Sequence, residues 1–392
     1  MDAKALALLI LGHLVTDTTQ GALPALLPLL KQVHTLSYAQ AGVLVMVMNL
    51  TSSVIQPLFG DLTDRWNLRW LVPMGVAVSG LGFGLIGLCS GYAAMLGVVV
   101  LSGLGVASFH PEAFKGVLGS AGSRKVVGVS WFMVGGNAGM ALGPVMIMAY
   151  CAWLGLKGSL LFGLPGVVVA GLFWAYWRHL ARKNGNQAKP APQAPERLPL
   201  RGRLRPLGIL MGAVILRAWV HVGVATFVPF YYVSVLGGDA VAVGSLLTTF
   251  LAAGVVGTLA GAPLAEKVGP KRFFVVSVAV VSPLLVWLQM LPAGPWLYVV
   301  LALTGGILLS TWSVVIVMGQ QILPDRAGTV SGMLVGFAMG LGGVGAALMG
   351  MVADHWGVSA VLRIVTVLPL LSALVAVFIP AGNRDYAGTA RA

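Results

Sequence analysis

The chain has 392 residues, 58% of them hydrophobic and only 9% charged, with 53 glycines and a mean hydropathy of +0.93. A soluble domain carries about a quarter charged residues, so the composition excludes an ordinary soluble protein and predicts an integral membrane one. The net charge of +13 suggests a nucleic-acid partner at first sight, but its distribution along the chain assigns it to membrane orientation instead.

Twelve apolar runs are long enough to cross a bilayer: near 4–30, 37–59, 70–90, 93–114, 126–150, 158–178, 207–234, 241–263, 272–292, 295–320, 327–352 and 357–379. The fold expected is all-α, twelve transmembrane helices in two six-helix pseudo-symmetric bundles. These are residues 1–179 and 207–392, joined by a linker at 180–206 whose prolines and basic residues lack apolar periodicity. With both ends placed in the cytoplasm, twenty of the 24 Lys and Arg residues fall on the inner side, the positive-inside bias.

The first span carries His13, Asp17 and Gln20 as its strongly polar side chains. Asp17 lies 13 residues after Lys4, about 20 Å along a helix axis, so its carboxylate sits at membrane depth. Such a group is costly there and normally serves a polar pathway. His13 is four residues earlier and shares its face. Between the second and third spans runs Gly60-Asp61-Leu62-Thr63-Asp64-Arg65-Trp66-Asn67-Leu68-Arg69. The fourth span ends on His110-Pro111-Glu112. Here two readings stand together: Glu112 a second proton carrier with His110 a titrating gate residue, or a bend at Pro111 with Glu112 paired to Lys115 or Arg124. Cys89 and Cys151, near outer helix ends, read as reduced packing residues. Gly135, Gly136, Gly139 and Gly143 in the fifth span, and Gly336, Gly340, Gly343 and Gly345 in the eleventh, read as close-approach faces, fifth against eighth and eleventh against second.

The seventh span opens the second half. Arg217 lies 12 residues after Arg205, about 18 Å along the axis, at the depth of Asp17, and His221 follows one turn later. The functional expectation is that Arg217 attracts an anionic or polar group of the substrate while Asp17 alternates between protonated and ion-paired states. The alternative is a structural Asp17–Arg217 pair. His221 reads as a cavity-lining hydrogen-bonding residue, Phe227 and Tyr231 as an apolar wall of the substrate site. Asn49 and Gln56 read as cavity polar groups or helix–helix hydrogen bonds. Arg363 reads as a residue that snorkels or pairs with Asp354. After the eighth span, Gly261-Ala262-Pro263-Leu264-Ala265-Glu266-Lys267 to Lys271 repeats the first loop at an offset of 202, superposing Asp64 on Glu266 and Arg65 on Lys267. Repeats of this kind build secondary transporters with the substrate site between them. No metal-ligand spacing, cofactor motif or acid–base–nucleophile cluster is visible. The expected partners are a small-molecule substrate, protons and membrane lipids, for a monomer that touches no nucleic acid and is not an enzyme.

The first loop closely resembles the loop 2–3 signature of the major facilitator superfamily, with Asn67 where the family usually has glycine. Asp17-Thr18-Thr19-Gln20-Gly21-Ala22-Leu23-Pro24, Gly105-Val106-Ala107-Ser108-Phe109-His110-Pro111-Glu112-Ala113 and Asn49-Leu50-Thr51-Ser52-Ser53 to Gln56-Pro57 resemble its fosmidomycin-resistance branch. Gly139-Met140-Ala141-Leu142-Gly143-Pro144 resembles the core of the antiporter signature. The resemblance implies the major facilitator fold and proton-driven drug efflux, including antibiotic resistance, across the bacterial inner membrane. It also implies a gate latch: Asp64 at a helix end, with Asp61, Arg65 and Arg69, and Arg65 holding the two halves together. The fourth span lacks the arginine that many proton-coupled members carry, so coupling must use other residues. A uniporter or importer of an endogenous organic anion or amphiphile is the alternative.

Overall fold

A computed structural model describes residues 2–66, 68–181 and 202–380. Asn67 and nearly all of the expected linker, 182–201, lie outside the described residues. Long apolar runs leave the backbone one way to satisfy its polar groups in a bilayer, and the chain is helical almost throughout. In order, the helices are α1 (Ala3–His34), α2 (Tyr38–Asn49), α3 (Gln56–Arg65), α4 (Leu71–Gly84), α5 (Tyr92–Ser120), α6 (Lys125–Leu154) and α7 (Gly163–Ala181). Then come α8 (Leu204–Ser234), α9 (Ala242–Val268), α10 (Pro270–Met290), α11 (Pro295–Ile322), α12 (Ala327–Trp356) and α13 (Val358–Val377). Eleven described stretches are long and apolar enough to cross a membrane. One of them, Val127–Tyr176, holds two helices, α6 and α7, joined by a 3-10 segment at Gly155–Phe162. The described residues therefore make twelve crossings.

Local chemistry sets the helix ends. The Asp2 side chain caps α1 by accepting from the Ala5 N–H at 3.1 Å, and Thr35, at φ 52°, ends it in the left-handed region. Ser37 and Gln40 then form a reciprocal capping box that starts α2. The second crossing is broken by a π turn at Leu50–Val54 between α2 and α3. Pro57 lacks the N–H that would bond one turn back, so the ladder changes register there. That turn brings Ser52 toward α1.

Each half is held by close backbone approach. Gly135, Gly139 and Gly143 of α6 lie on the α1 backbone at Ile10, Leu14 and Thr18, and Gly75 of α4 lies on Gly105 of α5. The fifth-span glycines therefore pack on the first helix of their own half, not on the eighth span as expected, because that contact is the closest backbone approach α6 makes. The eleventh-span expectation holds for three of its four glycines: Gly336, Gly340 and Gly343 of α12 face Ser53, Val54 and Met46 of the second crossing, whereas Gly345 faces Trp219 of α8. Between the halves the contacts run along α2–α12, α6–α9 and α1–α8. They include Gly42 against Ala346, Gly244 against Pro144 and Met148, and Thr248 Oγ1 donating to the Ala141 carbonyl at 2.7 Å.

The face carrying the α1 start, Arg65, Arg69 and the turn at 121–124 is the basic face. At the opposite face the halves are closed: the Asp354 carboxylate accepts from the Tyr38 and Ala39 N–H groups at 2.7 and 2.9 Å. Asp354 thus caps α2 from the other half rather than pairing with Arg363, which is exposed. A cap of this kind contributes about 0.5–2 kcal/mol. Because it bridges the halves, Asp354→Ala is expected to leave the melting temperature nearly unchanged. It should speed reagent access from the opposite face severalfold; unchanged access would count against a closing role.

Candidate functional site

Asp17 is 6% exposed and sits in the first half alone. Its Oδ2 lies 3.2 Å from His13 Nε2 and its Oδ1 3.4 Å from His110 Nε2. The two imidazole Nε2 atoms are 3.2 Å apart. His13 Nδ1 donates to the Phe132 carbonyl at 2.7 Å and His110 Nδ1 to the Val106 carbonyl at 2.8 Å. A carbonyl oxygen only accepts, so each Nδ1 carries a hydrogen. If both rings were neutral, two Nε2 lone pairs would face each other and a carboxylate with nothing between them. The geometry therefore calls for one further proton shared among the two rings and the carboxyl.

The cluster continues toward the middle of the molecule. Gln20 Nε2 donates to Asp17 Oδ1 at 3.3 Å, and Ser52 Oγ of the π turn donates to Gln20 Oε1 at 3.1 Å. Gln20 then borders a recess between the halves, together with Asn49, Met48 and Met140 from the first and His221, Thr226, Leu251 and Met339 from the second. Both ring nitrogens of His221 and the Thr226 hydroxyl are buried and have no hydrogen-bond partner among the described residues. Buried polar groups normally find one, so these point to a ligand. The recess has about 40 Å³ of space, room for a few waters. A drug-sized ligand needs about 300 Å³ or more, so in this conformation the recess holds at most a small part of one.

Arg217 corrects a central expectation. It is 1% exposed, donates from Nε to Thr311 Oγ1 at 3.0 Å and from Nη2 to the Leu308 carbonyl at 2.9 Å, and lies over the Trp312 ring. All these partners are on α11, whereas those of Asp17 are on α1 and α5. Neither an Asp17–Arg217 pair nor a competition at that pair is present in this conformation. Equal depth on equivalent helices does not imply a shared direction. Phe227 and Tyr231, expected as a wall of the substrate site, are core: Phe227 is fully buried and the Tyr231 hydroxyl donates to the Gln289 carbonyl at 3.3 Å. Gln56 is half-buried at the start of α3, outside the recess. Asn49 and His221 border the recess.

At the basic face the expected latch takes a different form. Lys115 Nζ lies 2.6 Å from Asp64 Oδ1, 2.7 Å from Thr63 Oγ1 and 3.9 Å from Glu112 Oε2. Arg65 pairs with Asp61 at 3.0 Å on the same exposed helix face, and so does not hold the halves together here. Gly60 has open space around it, and Arg69, Glu266 and Lys267 are exposed. Glu112 meets Lys115, as the structural alternative has it. Asp64→Asn should lower turnover severalfold with little change in substrate affinity, because it loosens α3 from α5 without touching the recess. Equal loss of both would count against that role.

The sequence undervalues His13, although its spacing from Asp17 was a usable signal, and it misses Gln20 and Thr226 as recess residues. The sequence shows no metal-ligand spacing, yet the structure brings three residues of ligand type together. His13, Asp17 and His110 each offer one ligand atom, all within 4.8 Å of one another, a grouping that positions 13, 17 and 110 do not reveal.

The family model of the Major Facilitator Superfamily matches residues 9–344. The chain is 32% identical over 375 residues to the fosmidomycin resistance protein of Escherichia coli, covering 94% of this chain and 91% of that protein. It is also 32% identical over 378 residues to an uncharacterized MFS-type transporter, YfnC, of Bacillus subtilis, with the same coverages. Among solved structures, a bacterial homolog of the human lysosomal transporter Spinster, inward-facing and unoccupied, matches with a TM-score of 0.74 at 17% identity, covering 100% of this chain and 97% of that one. The nucleoside transporter NupG matches with a TM-score of 0.72 at 15% identity, covering 99% of each chain. At such identities these two share the fold alone.

Proposed function

The chain belongs to the Major Facilitator Superfamily, a family of membrane transporters. From that premise we propose that it exports drugs or small organic anions such as phosphonates in exchange for protons, by alternating access. The basic face is assigned to the cytoplasm of a bacterial inner membrane by its charge, so both termini are cytoplasmic. The protein acts as a monomer on a small-molecule substrate.

One observation carries the reading. A recess at the meeting of the two halves is bordered by buried polar groups without partners among the described residues, His221 and Thr226. It is joined through Gln20 to a cluster on Asp17 that needs one further proton. Substrate polar groups satisfy the former, and a proton satisfies the latter. Because Gln20 touches both, substrate that donates to its amide oxygen strengthens its N–H bond to Asp17 and loosens the cluster's hold on a proton. The 32% identity to a fosmidomycin resistance protein supports drugs and phosphonates as the first compounds to try.

The test uses inverted vesicles loaded with a pH dye and energised. Addition of fosmidomycin or a related phosphonate should dequench the dye as protons leave in exchange. A saturable substrate flux without any proton movement would favour the second reading, a uniporter or importer of an endogenous organic anion. Arg217 is what recommends that reading: among the described residues this buried guanidinium is hydrogen-bonded to neutral groups, Thr311 and the Leu308 carbonyl.

A further inference from the structure

Three lone-pair donors converge where α1 meets α5. The separations are 3.2 Å from His13 Nε2 to His110 Nε2, 3.2 Å from His13 Nε2 to Asp17 and 3.4 Å from His110 Nε2 to Asp17. Ligand atoms about 2.0–2.1 Å from a tetrahedral zinc ion stand about 3.3–3.4 Å from one another. The two imidazole nitrogens therefore already stand at the spacing of two ligands of such a site, and each has its own carboxylate oxygen beside it, Oδ2 for His13 and Oδ1 for His110. Taken one atom per residue, the three ligand atoms lie within 4.8 Å of one another, so a small turn of the carboxylate completes the face.

The surroundings fit the same occupant. Each ring gives its Nδ1–H to a backbone carbonyl, Phe132 or Val106, which directs Nε2 at the centre and fixes the tautomer that ligates. Among the described residues the Asp17 carboxylate has these two rings as its ion-pair partners, and no lysine or arginine. Gln20 donates to the same carboxylate at 3.3 Å and holds it in place. Gly136 of α6 provides the room: a Cβ there would run into the His13 ring. The His110 side chain is 19% exposed and offers a way in.

We propose that His13, Asp17 and His110 form a binding site for one divalent first-row transition ion of the zinc class, with a fourth position left for water. Two imidazoles and a carboxylate suit zinc, cobalt, nickel or copper. Magnesium and calcium, which take oxygen ligands, are poorly served. The ion occupies the lone pairs that a proton otherwise holds, so it arrests rather than drives exchange. The site stands on its own geometry, whether or not the chain exchanges protons.

The test is cobalt binding to the full-length purified protein in detergent, carrying a tag without histidines and stripped with chelator. Cobalt should give saturable ligand-field absorption at one ion per chain, displaced by zinc and not by magnesium. His13→Ala and His110→Ala should each weaken binding at least about tenfold, whereas His355→Ala, at an exposed residue, should leave it unchanged. Wild-type binding by the His13→Ala/His110→Ala double variant, or no saturable signal at all, would overturn the proposal. X-ray absorption at the zinc edge of the wild-type protein reads the site without any substitution: two imidazole ligands are expected, and a spectrum lacking them also overturns it. Dye dequenching tests transport separately, so loss of one conclusion leaves the other intact.

Discussion

Asp17→Asn is expected to leave the protein folded and able to bind substrate, yet to reduce proton-linked exchange about a hundredfold. The reason lies in the hydrogen inventory of the cluster. With both Nδ1–H groups given to carbonyls, an ionised Asp17 compels one ring to carry a second proton. The asparagine amide supplies an N–H donor of its own, so one Nε2 gains a donor and the opposing lone pairs no longer need an added proton. Geometry is nearly preserved while the charge that retains the proton is gone. A hydrogen bond to a charged group is worth about 1.5–3 kcal/mol, and about 1.4 kcal/mol corresponds to tenfold. The rate of substrate-induced dequenching, set beside substrate binding to the purified variant, checks this. Wild-type dequenching in the variant would remove Asp17 from the coupling step.

Gly42→Leu should do equally large damage by another route. Any Cβ at this position of α2 would collide with the Ala346 carbonyl of α12, across the seam between the halves. Gly21 is equally crowded, by the Met140 carbonyl of α6, but that contact lies within one half. Overpacking costs about 1–3 kcal/mol. At Gly21 the cost falls on the fold, so Gly21→Leu should lower the melting temperature. At Gly42 it falls on the closure of the opposite face. A shift of that size moves a two-state equilibrium by about ten- to a hundredfold. A Tyr38→Cys reporter at the seam, in a background without Cys89 and Cys151, should then label at least tenfold faster from the opposite face, while the melting temperature stays close to wild type. Unchanged labelling with normal transport would show that the seam is not a gate.

The contrast between these glycines marks what the sequence carried. Apolar run length is set by bilayer thickness, so all twelve crossings were legible. Their ends were less so: α1 runs Ala3–His34 rather than 4–30 because Asp2 and Thr35, both polar, define its limits. The chemistry of the site was visible where a charge lies at forbidden depth, which singles out Asp17 and Arg217. Their partners were not visible, since these depend on the rotation of each helix about its axis. Hence Asp17 faces His13 and His110, Arg217 faces Thr311, and the expected pair is absent. The latch shows the same limit: the acid at Asp64 was readable, but not that Lys115 of α5, rather than Arg65, meets it. Thr226 left no trace at all, because a threonine in an apolar run usually bonds its own helix.

The central claim is that proton and substrate are linked through the Asp17 cluster and the recess. It is tested most directly by counting protons when substrate binds to the purified protein in weakly buffered detergent solution. The account expects fosmidomycin or an effective analogue to displace protons from wild-type protein, with the displacement absent in Asp17→Asn while binding persists. Saturable binding with no proton displaced from the wild type, at any pH between about 5 and 8 where histidine changes charge, would contradict it.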